Sequence, residues 1–294
     1  MTIKMPFGEK CFQVFNYVFM VCFVAITLYP MLYVLFASVS RPELIAGHTG
    51  LLLRPLGFTG GAYEMVFRNP MLLRAYGNTL LYMTVGTIIN LIMTTLGAFV
   101  LSRKEFMLKV PIMMMIVFTM FFSGGLIPTY LLVISLGLGN TLWALVLPSA
   151  ISSFNLIIMR TYFNNIPDGF EEAARIDGAN DFLILIRIIL PLSMPIIAVM
   201  ILFYGVGHWN SWFSAMIYLR NREMFPLQLI LREILILADT RDMMIGVDAG
   251  IDREPVAEII KYATIIVATV PILCAYPFLQ RFFVKGVMIG GVKG

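Results

Sequence analysis

Between Asp168 and Pro191 the chain reads DGFEEAARIDGANDFLILIRIILP, a charged stretch set between two long apolar blocks. Asp168, Glu171, Glu172, Arg175, Asp177, Asp181 and Arg187 are its ionisable residues. Their spacing suits docking rather than catalysis. It predicts two short helices with a hinge. Pro167 can open the first helix, where its missing N–H is not needed, or end the preceding segment. Glu171 and Glu172 then sit near a helix N-terminus, where the dipole favours negative charge. Gly178 suits a left-handed C-terminal cap. Asp181 can cap a second helix over 182–190. Phe170, Ala173 and Ala174 recur at helical spacing and give the first helix a small apolar face that can seat in another protein's groove. Elsewhere, chemistry-bearing residues are scattered. His48 and His208 have no metal-ligand motif beside them, and Cys11, Cys22 and Cys274 lie in or beside apolar blocks without ligand spacing. No G-x-x-x-x-G-K-[ST] loop occurs, so an ATP-driven process would need another chain to bind the nucleotide. No catalytic residue and no metal site is expected.

The charged stretch carries a resemblance. Glu172-Ala173-Ala174, Gly178 at its fixed distance, and the ending Ile188-x-Leu190-Pro191 resemble the EAA-loop signature of permease subunits of binding-protein-dependent ABC importers. Every signature position is filled. The triplet alone would be common by chance; triplet, glycine, spacing and ending together are specific. The plain alternative is an interfacial loop between membrane helices.

The elements that must position this segment are hydrophobic. Hydrophobic residues make up 60% of the 294 and charged residues 13%, against about 25% charged in ordinary soluble domains. This is the composition of an integral membrane protein with no room for a large soluble domain. The net charge of +4 reflects basic residues flanking spans rather than a nucleic-acid surface. Apolar blocks lie at about 12–37, 76–101, 110–136, 140–159, 192–219 and 259–283. The first is too long for a signal peptide and reads as a retained helix. The third is interrupted at Ser123-Gly124-Gly125 and Pro128, so its freed backbone should face protein or water. Residues 38–75 read as an external loop with some short helix. Lysine and arginine divide almost evenly between the two sides, so charge bias leaves the orientation open. From the second block onward no Asp, Glu, Lys or Arg falls at mid-membrane, and no inverted repeat is visible, which argues against an ion-coupled carrier. His208, a lone histidine there, reads as packed or hydrogen-bonded rather than as a proton relay.

Three further stretches bear on function. FYGVGHWNSWFSAMIYL ends the fifth block, and its Tyr204, Trp209, Asn210 and Trp212 are candidates for a substrate path. Aromatic faces and amides suit sugar rings; the alternative, favoured for Trp212 and Tyr218, is an interfacial aromatic belt. PLQLILREILILA (226–238) puts Leu227, Ile230, Leu231, Ile234 and Leu235 on one helical stripe within a charged external segment, 220–258. That segment reads as a solvated interfacial stretch or as a scaffold for an external solute-binding protein. The glycine-rich VKGVMIGGVKG cannot continue a helix past Gly286. It resembles the tail of the second permease subunit of maltose-type importers. WNSWF resembles the sugar-importer branch, and SGGLIPTYLL (123–132) the branch handling oligosaccharides and polysaccharide fragments.

The resemblance covers essentially the whole chain and implies an all-α type I permease. Residues 1–294 would form one transmembrane domain with six spans and both termini cytoplasmic. It implies a cytoplasmic EAA loop, 163–191, in which Glu171, Glu172, Ala173, Ala174, Asp177, Gly178 and Pro191 couple to an ATPase. It also implies a tail whose Gly290, Gly291, Val292 and Lys293 reach the ATPase interface. The implied partners are a second permease subunit in a heterodimer, two ABC ATPase subunits, an extracytoplasmic solute-binding protein, an oligosaccharide and membrane lipid. No cofactor is expected on this chain, with ATP and Mg on the ATPases, and the implied location is the bacterial cytoplasmic membrane. Three alternatives are weighed against it. A permease for a non-sugar solute is opposed by the aromatic end of block five and the tail. An ion-coupled carrier is opposed by the uncharged core. A membrane-embedded enzyme is opposed by the lack of a nucleophile, dyad or metal cluster.

Overall fold

The computed structural model of the chain describes residues 7–244, 258–274 and Pro277. Their regular structure is helical, with one isolated bridge between Ser40 and Phe58. In chain order the helices are α1 (Phe7–Ser38), α2 (Pro42–Ala46), α3 (Gly61–Arg68), α4 (Pro70–Ser102), α5 (Lys109–Phe121), α6 (Leu126–Ser135), α7 (Trp143–Val146), α8 (Ser153–Asn164), α9 (Gly169–Ile176), α10 (Asp181–Ile184), α11 (Leu190–Leu192), α12 (Met194–Trp209), α13 (Phe213–Tyr218) and α14 (Leu227–Met244). A final helix, α15, covers 258–274.

By length and hydropathy, α1 and α4 can each cross a membrane as one helix. The other spans are bent. α5 and α6 meet at 114°, α7 with its following turn meets α8 at 52°, and the α10–α11 segment meets α12 at 84°. Counting each bent pair as one span gives five. The sixth expected span falls on α15, and its end lies outside the described residues, as do Gly290, Gly291, Val292 and Lys293. The expected interruption of the third block is present as the 114° break, with Gly125 at φ +86°, a backbone state that favours glycine. Two boundaries differ from expectation. α4 begins at Pro70 rather than near 76, because proline is tolerated in a first turn. The fifth block does not run unbroken from 192 to 219; α12 ends at Trp209 and α13 is a separate short helix.

The chain divides into two compact units. Among described residues the first holds 7–70, 231–244 and 258–270. Here α1 buries only Ala37 and Ser38 and turns its apolar length outward. Below it the chain folds back on itself. The Ser38 and Tyr63 hydroxyls lie 2.7 Å apart, Leu52 N donates to the Tyr29 hydroxyl at 3.1 Å, and Tyr33 packs edge-on against Tyr262.

The second unit holds 71–230 with 271–274 and Pro277. Its centre is α4. Tyr82, Gly86, Asn90, Thr94 and Ala98 are buried and recur every four residues, so they form one stripe along the helix. Asn90 Nδ2 donates to the carbonyls of Ser149 and Ala150, at 2.6 and 2.9 Å, where the α7–α8 span is broken. That fixes the amide orientation, so Asn90 Oδ1 accepts from His208 Nε2 at 2.6 Å and the imidazole carries its proton on Nε2. A side chain at position 86 would run into this imidazole. Gly86→Ala is therefore expected to lower stability by about 1–3 kcal/mol through overpacking. Gly77→Ala, on the same helix with open space around it, should be neutral or stabilising. Thermal unfolding of the two detergent-solubilised variants checks this: equal midpoints would mean that α4 and the His208 ring do not pack as described.

Candidate functional site

The charged stretch folds as α9, a left-handed turn and α10. Gly178 closes α9 at φ +84° with nothing within 4 Å of its missing side chain. The backbone state, not crowding, is what suits glycine there. The next helix is capped by Asn180, whose Oδ1 accepts from Leu183 N at 2.8 Å. The sequence expectation placed this cap on Asp181; that residue is instead in the first turn, where its charge meets the helix dipole. Residues Leu185–Ile189 form a π-helical turn, after which Pro191 lies exposed in α11 and the chain bends at Ser193.

α9 has two faces. Ala174 is buried in a cluster with Phe163, Ile184, Leu185 and Ile189. Glu171 and Arg175 point the same way, as i, i+3 and i+4 spacing requires. Phe170, Glu172, Ala173 and Ile176 are exposed, Phe170 by 51% and Ile176 by 86%. The two alanines expected together thus separate: Ala174 faces its own chain and Ala173 faces outward. Asp177, the C-cap residue, is exposed.

A consecutive triplet at the end of α4 meets the inner face. Arg103 pairs with Glu171, Lys104 with Asp168 and Glu105 with Arg175, the last at 2.9 Å. Arg175 also reaches Asp181 at 3.3 Å. The order plus, plus, minus on 103–105 complements minus, minus, plus on 168, 171 and 175. The pairs differ in environment. The Lys104, Asp168, Glu105 and Arg175 side chains are well exposed, where screening leaves each pair at about 0–1 kcal/mol. Arg103 and Glu171 retain only 15% and 16% of side-chain exposure. The Arg103 guanidinium lies 4.3 Å from the Phe99 ring centroid and donates to the Phe99 carbonyl and the Ser102 hydroxyl. Burial first, and the nearby Arg175 charge second, lower its pKa from the ordinary value; as a guanidinium it stays charged. The Lys104 ammonium is raised, by its hydrogen bond to Asp168 first and that carboxylate's charge second. Arg160 Nε donates to the Leu101 carbonyl at 2.9 Å, tying α8 to the same end of α4. Arg103, Lys104, Glu105, Arg160, Asp168, Glu171 and Arg175 all line one cleft of about 360 Å³.

Residues 71–289 match the family described as binding-protein-dependent transport system inner membrane component. The chain belongs to this family. A polygalacturonan/rhamnogalacturonan transport system permease protein of Bacillus subtilis (strain 168) is 39% identical, over 97% of this chain and 99% of that one. An arabinooligosaccharides transport system permease protein of Halalkalibacterium halodurans is 28% identical, over 92% of each chain. Among solved structures, a chain of a bacterial ABC transporter involved in the import of the acidic polysaccharide alginate matches with a TM-score of 0.86 and 30% identity, covering 96% of this permease and all of that chain. The bent-span, all-helical architecture is that of a type I ABC importer permease. The permease is thus the membrane subunit of a transporter.

The aromatic end of block five is dispersed. Trp209 is buried and packs edge-on against Tyr76, with ring centroids 5.8 Å apart. Asn210 caps α12 and is exposed. Trp212 lies edge-on to Phe213. Tyr218, expected in an interfacial belt, is instead buried and stacked on Tyr130, because the break after α12 turns α13 back onto α7. Tyr204 alone of the four path candidates lines a second cavity, of about 340 Å³, between α4, α8, α12 and α13. Sequence reasoning missed Arg103, Lys104 and Glu105 as partners of α9, and Asn90 and Asn155 at this cavity. Their signals were present: a mixed-charge triplet matched to the charges of α9, and amides inside apolar blocks.

The Arg103–Glu171 pair is the one ion pair here shielded enough to matter individually. Removing one partner leaves the other charge poorly solvated. Arg103→Ala and Glu171→Ala should each lower stability by about 1–3 kcal/mol, and the double variant should cost little more than either alone. A double-mutant cycle on thermal unfolding reads the coupling; additive losses would show that the pair does not fasten α9.

Proposed function

We propose that this chain is one half of the membrane pathway of an ATP-driven carbohydrate importer, most closely suited to oligosaccharides, in the bacterial cytoplasmic membrane. The observation that carries the reading is the division of α9: an inner face fastened by Arg103–Glu171 and Ala174, and an outer face left to a partner. A second permease subunit completes the pathway as a heterodimer, and a solute-binding protein delivers sugar at the outer side. Two ATPase subunits bind ATP with Mg. One of them seats Phe170, Ala173 and Ile176 in a surface groove, with Glu172 and Asp177 at its rim. Gly178, Pro191 and the 84° bend then join α9 to α12. In this arrangement residues 163–191 and both termini are cytoplasmic, 38–75 and 220–258 are external, and Gly290, Gly291, Val292 and Lys293 extend to the ATPase interface.

The carbohydrate reading is supported by the relatives' names, which specify polygalacturonan/rhamnogalacturonan and arabinooligosaccharide transport, and by the structural match to an alginate importer. The coupling mechanism is rigid-body. ATPase closure moves α9, and α9 moves the ends of α4 and α12 to which it is fixed. A clean switch between inward- and outward-facing states requires about 5.5 kcal/mol of differential binding, which ATP must supply at the partner subunits.

Two outcomes test this. In membrane vesicles holding the whole assembly, sugar uptake should require internal ATP and survive brief uncoupling; the purified single chain should hydrolyse no ATP above a mock preparation. Accumulation driven by a pH or sodium gradient alone would overturn the reading. At the docking face, Ala173→Leu and Gly178→Val should leave the chain inserted in the membrane but reduce co-purifying ATPase at least about fivefold. Valine in a left-handed state costs about 1–2 kcal/mol. Gly178→Asn, which tolerates that state, should retain assembly. Normal assembly and uptake in both Ala173→Leu and Gly178→Val would remove α9 as the coupling site.

A further inference from the structure

The 340 Å³ cavity lies within the second unit and is lined from α4, α8, α12 and α13, elements of the apolar blocks. Its lining holds no Asp, Glu, Lys or Arg. Several of its polar groups are already occupied. Asn90 is consumed by the Ser149 and Ala150 carbonyls and by His208. The Tyr204 hydroxyl meets Thr94 at 2.7 Å and accepts from Ser152 N at 3.2 Å. Others are open. Asn155 is only 6% exposed, yet among the described residues its side-chain amide has no hydrogen-bond partner. The hydroxyls of Ser211 and Ser214 likewise have none among them. The Asn155 amide thus presents its donors and acceptor to the cavity, and the site can take a polar occupant.

We infer that this cavity is a subsite for the uncharged, hydroxyl-bearing face of a glycosyl unit, with Asn155, Ser211 and Ser214 as its hydrogen-bonding groups and the Phe203 and Tyr204 rings as its apolar wall. The inference rests on the importer reading above and adds that this chain itself touches the sugar. The chemistry is matched on each side. A sugar hydroxyl both donates and accepts, as do an amide and a serine hydroxyl. The C–H face of a pyranose packs on an aromatic ring. A carboxylate calls for cationic or charge-assisted donors, and the lining offers no cation. A lipid tail would leave the Asn155 amide unmatched. The volume is at the lower end of the range for small-molecule sites, which suits one or two sugar rings of a longer chain. Where a substrate carries carboxylates, as the alginate of the matched transporter does, their charge is read elsewhere than in this cavity.

The test uses the full assembly in nanodiscs without its binding protein. The probes are a galactose disaccharide and a galacturonate disaccharide at millimolar concentration, followed by saturation-transfer NMR. Wild type should transfer saturation to ring protons of the neutral disaccharide and to the same ring positions of the acidic one, no more strongly. Asn155→Leu should reduce the transfer about fivefold or more for both probes, the scale of one or two lost hydrogen bonds. Ser214→Ala, at a half-buried position on a different helix, should do the same and guards against a folding defect in the first variant. Both variants should assemble with their partners as wild type does. Equal transfer in wild type and variants, or none in a wild type that still imports carbohydrate, would overturn the subsite. A variant-sensitive signal confined to the galacturonate would overturn its neutral character. An assembly that imports no carbohydrate at all would strike at the importer reading instead.

Discussion

In an apolar surrounding, every backbone group freed by a broken helix must find a partner within the protein. Three of the spans here are bent pairs, and α4 meets that demand at the break before α8 and does the same for the turn that leads into α14. The Thr79 hydroxyl accepts from Leu227 N where α14 begins. The Tyr82 hydroxyl donates to the Met224 carbonyl, and Asn78 donates to the carbonyls of Glu223 and Phe225. Asn90 serves the break before α8, and Thr94 holds the Tyr204 hydroxyl that receives Ser152 N. One uninterrupted helix therefore makes the irregularity of its neighbours tolerable. Its polar side chains are buried without being charged, so they avoid the much larger cost of desolvating ions.

The same helix joins the two sites. Its middle contributes Asn90 to the polar cavity, and its end delivers Arg103, Lys104 and Glu105 to α9. Between them Ala98 and Phe99 pack into the cluster that also holds Ala174, Ile184, Ile189 and Tyr204. Packed interiors of this kind deform little. In the proposed coupling, a displacement of α9 would consequently carry α4 and the start of α12 with it rather than dissipate in a loop. The exposed pairs at Lys104 and Arg175 set the direction in which α9 lies, while the shielded pair at Arg103 resists its detachment.

Much of this was legible along the chain, because long apolar runs, a glycine cap and an acidic first turn are local signals. Gly178 and the Glu171-Glu172 pair could be placed from spacing alone. The interruption at 123–125 was legible too, since two adjacent glycines weaken any helix. What failed was chiefly non-local. Nothing near Arg103 in sequence announces Glu171, and nothing near Asn90 announces the carbonyls of Ser149 and Ala150; those pairings exist only once α4, α8 and α9 are packed. Asn180 and Asp181 are adjacent and equally competent caps, so propensity could not choose between them. Tyr218 looked interfacial because its composition is that of an aromatic belt; only the break after Trp209 turns it inward. Of the four aromatic and amide residues at the end of block five, Tyr204 lines the cavity, while the indole of Trp209 packs inward.

The outward face of α9 has a consequence for how cells must handle this subunit. Phe170 and Ile176 are exposed, and in the docking proposed above covering the two would be worth about 2–4 kcal/mol. An unassembled copy is therefore a distinct and less contented species than an assembled one. It offers a sticky patch on an otherwise charged, soluble-looking loop. On the proposed docking, balanced synthesis of the subunits would follow from this exposed face. Surplus permease is the form most exposed to aggregation and to the proteases that clear orphaned membrane proteins, and stoichiometry, as much as sequence, decides how much of it persists.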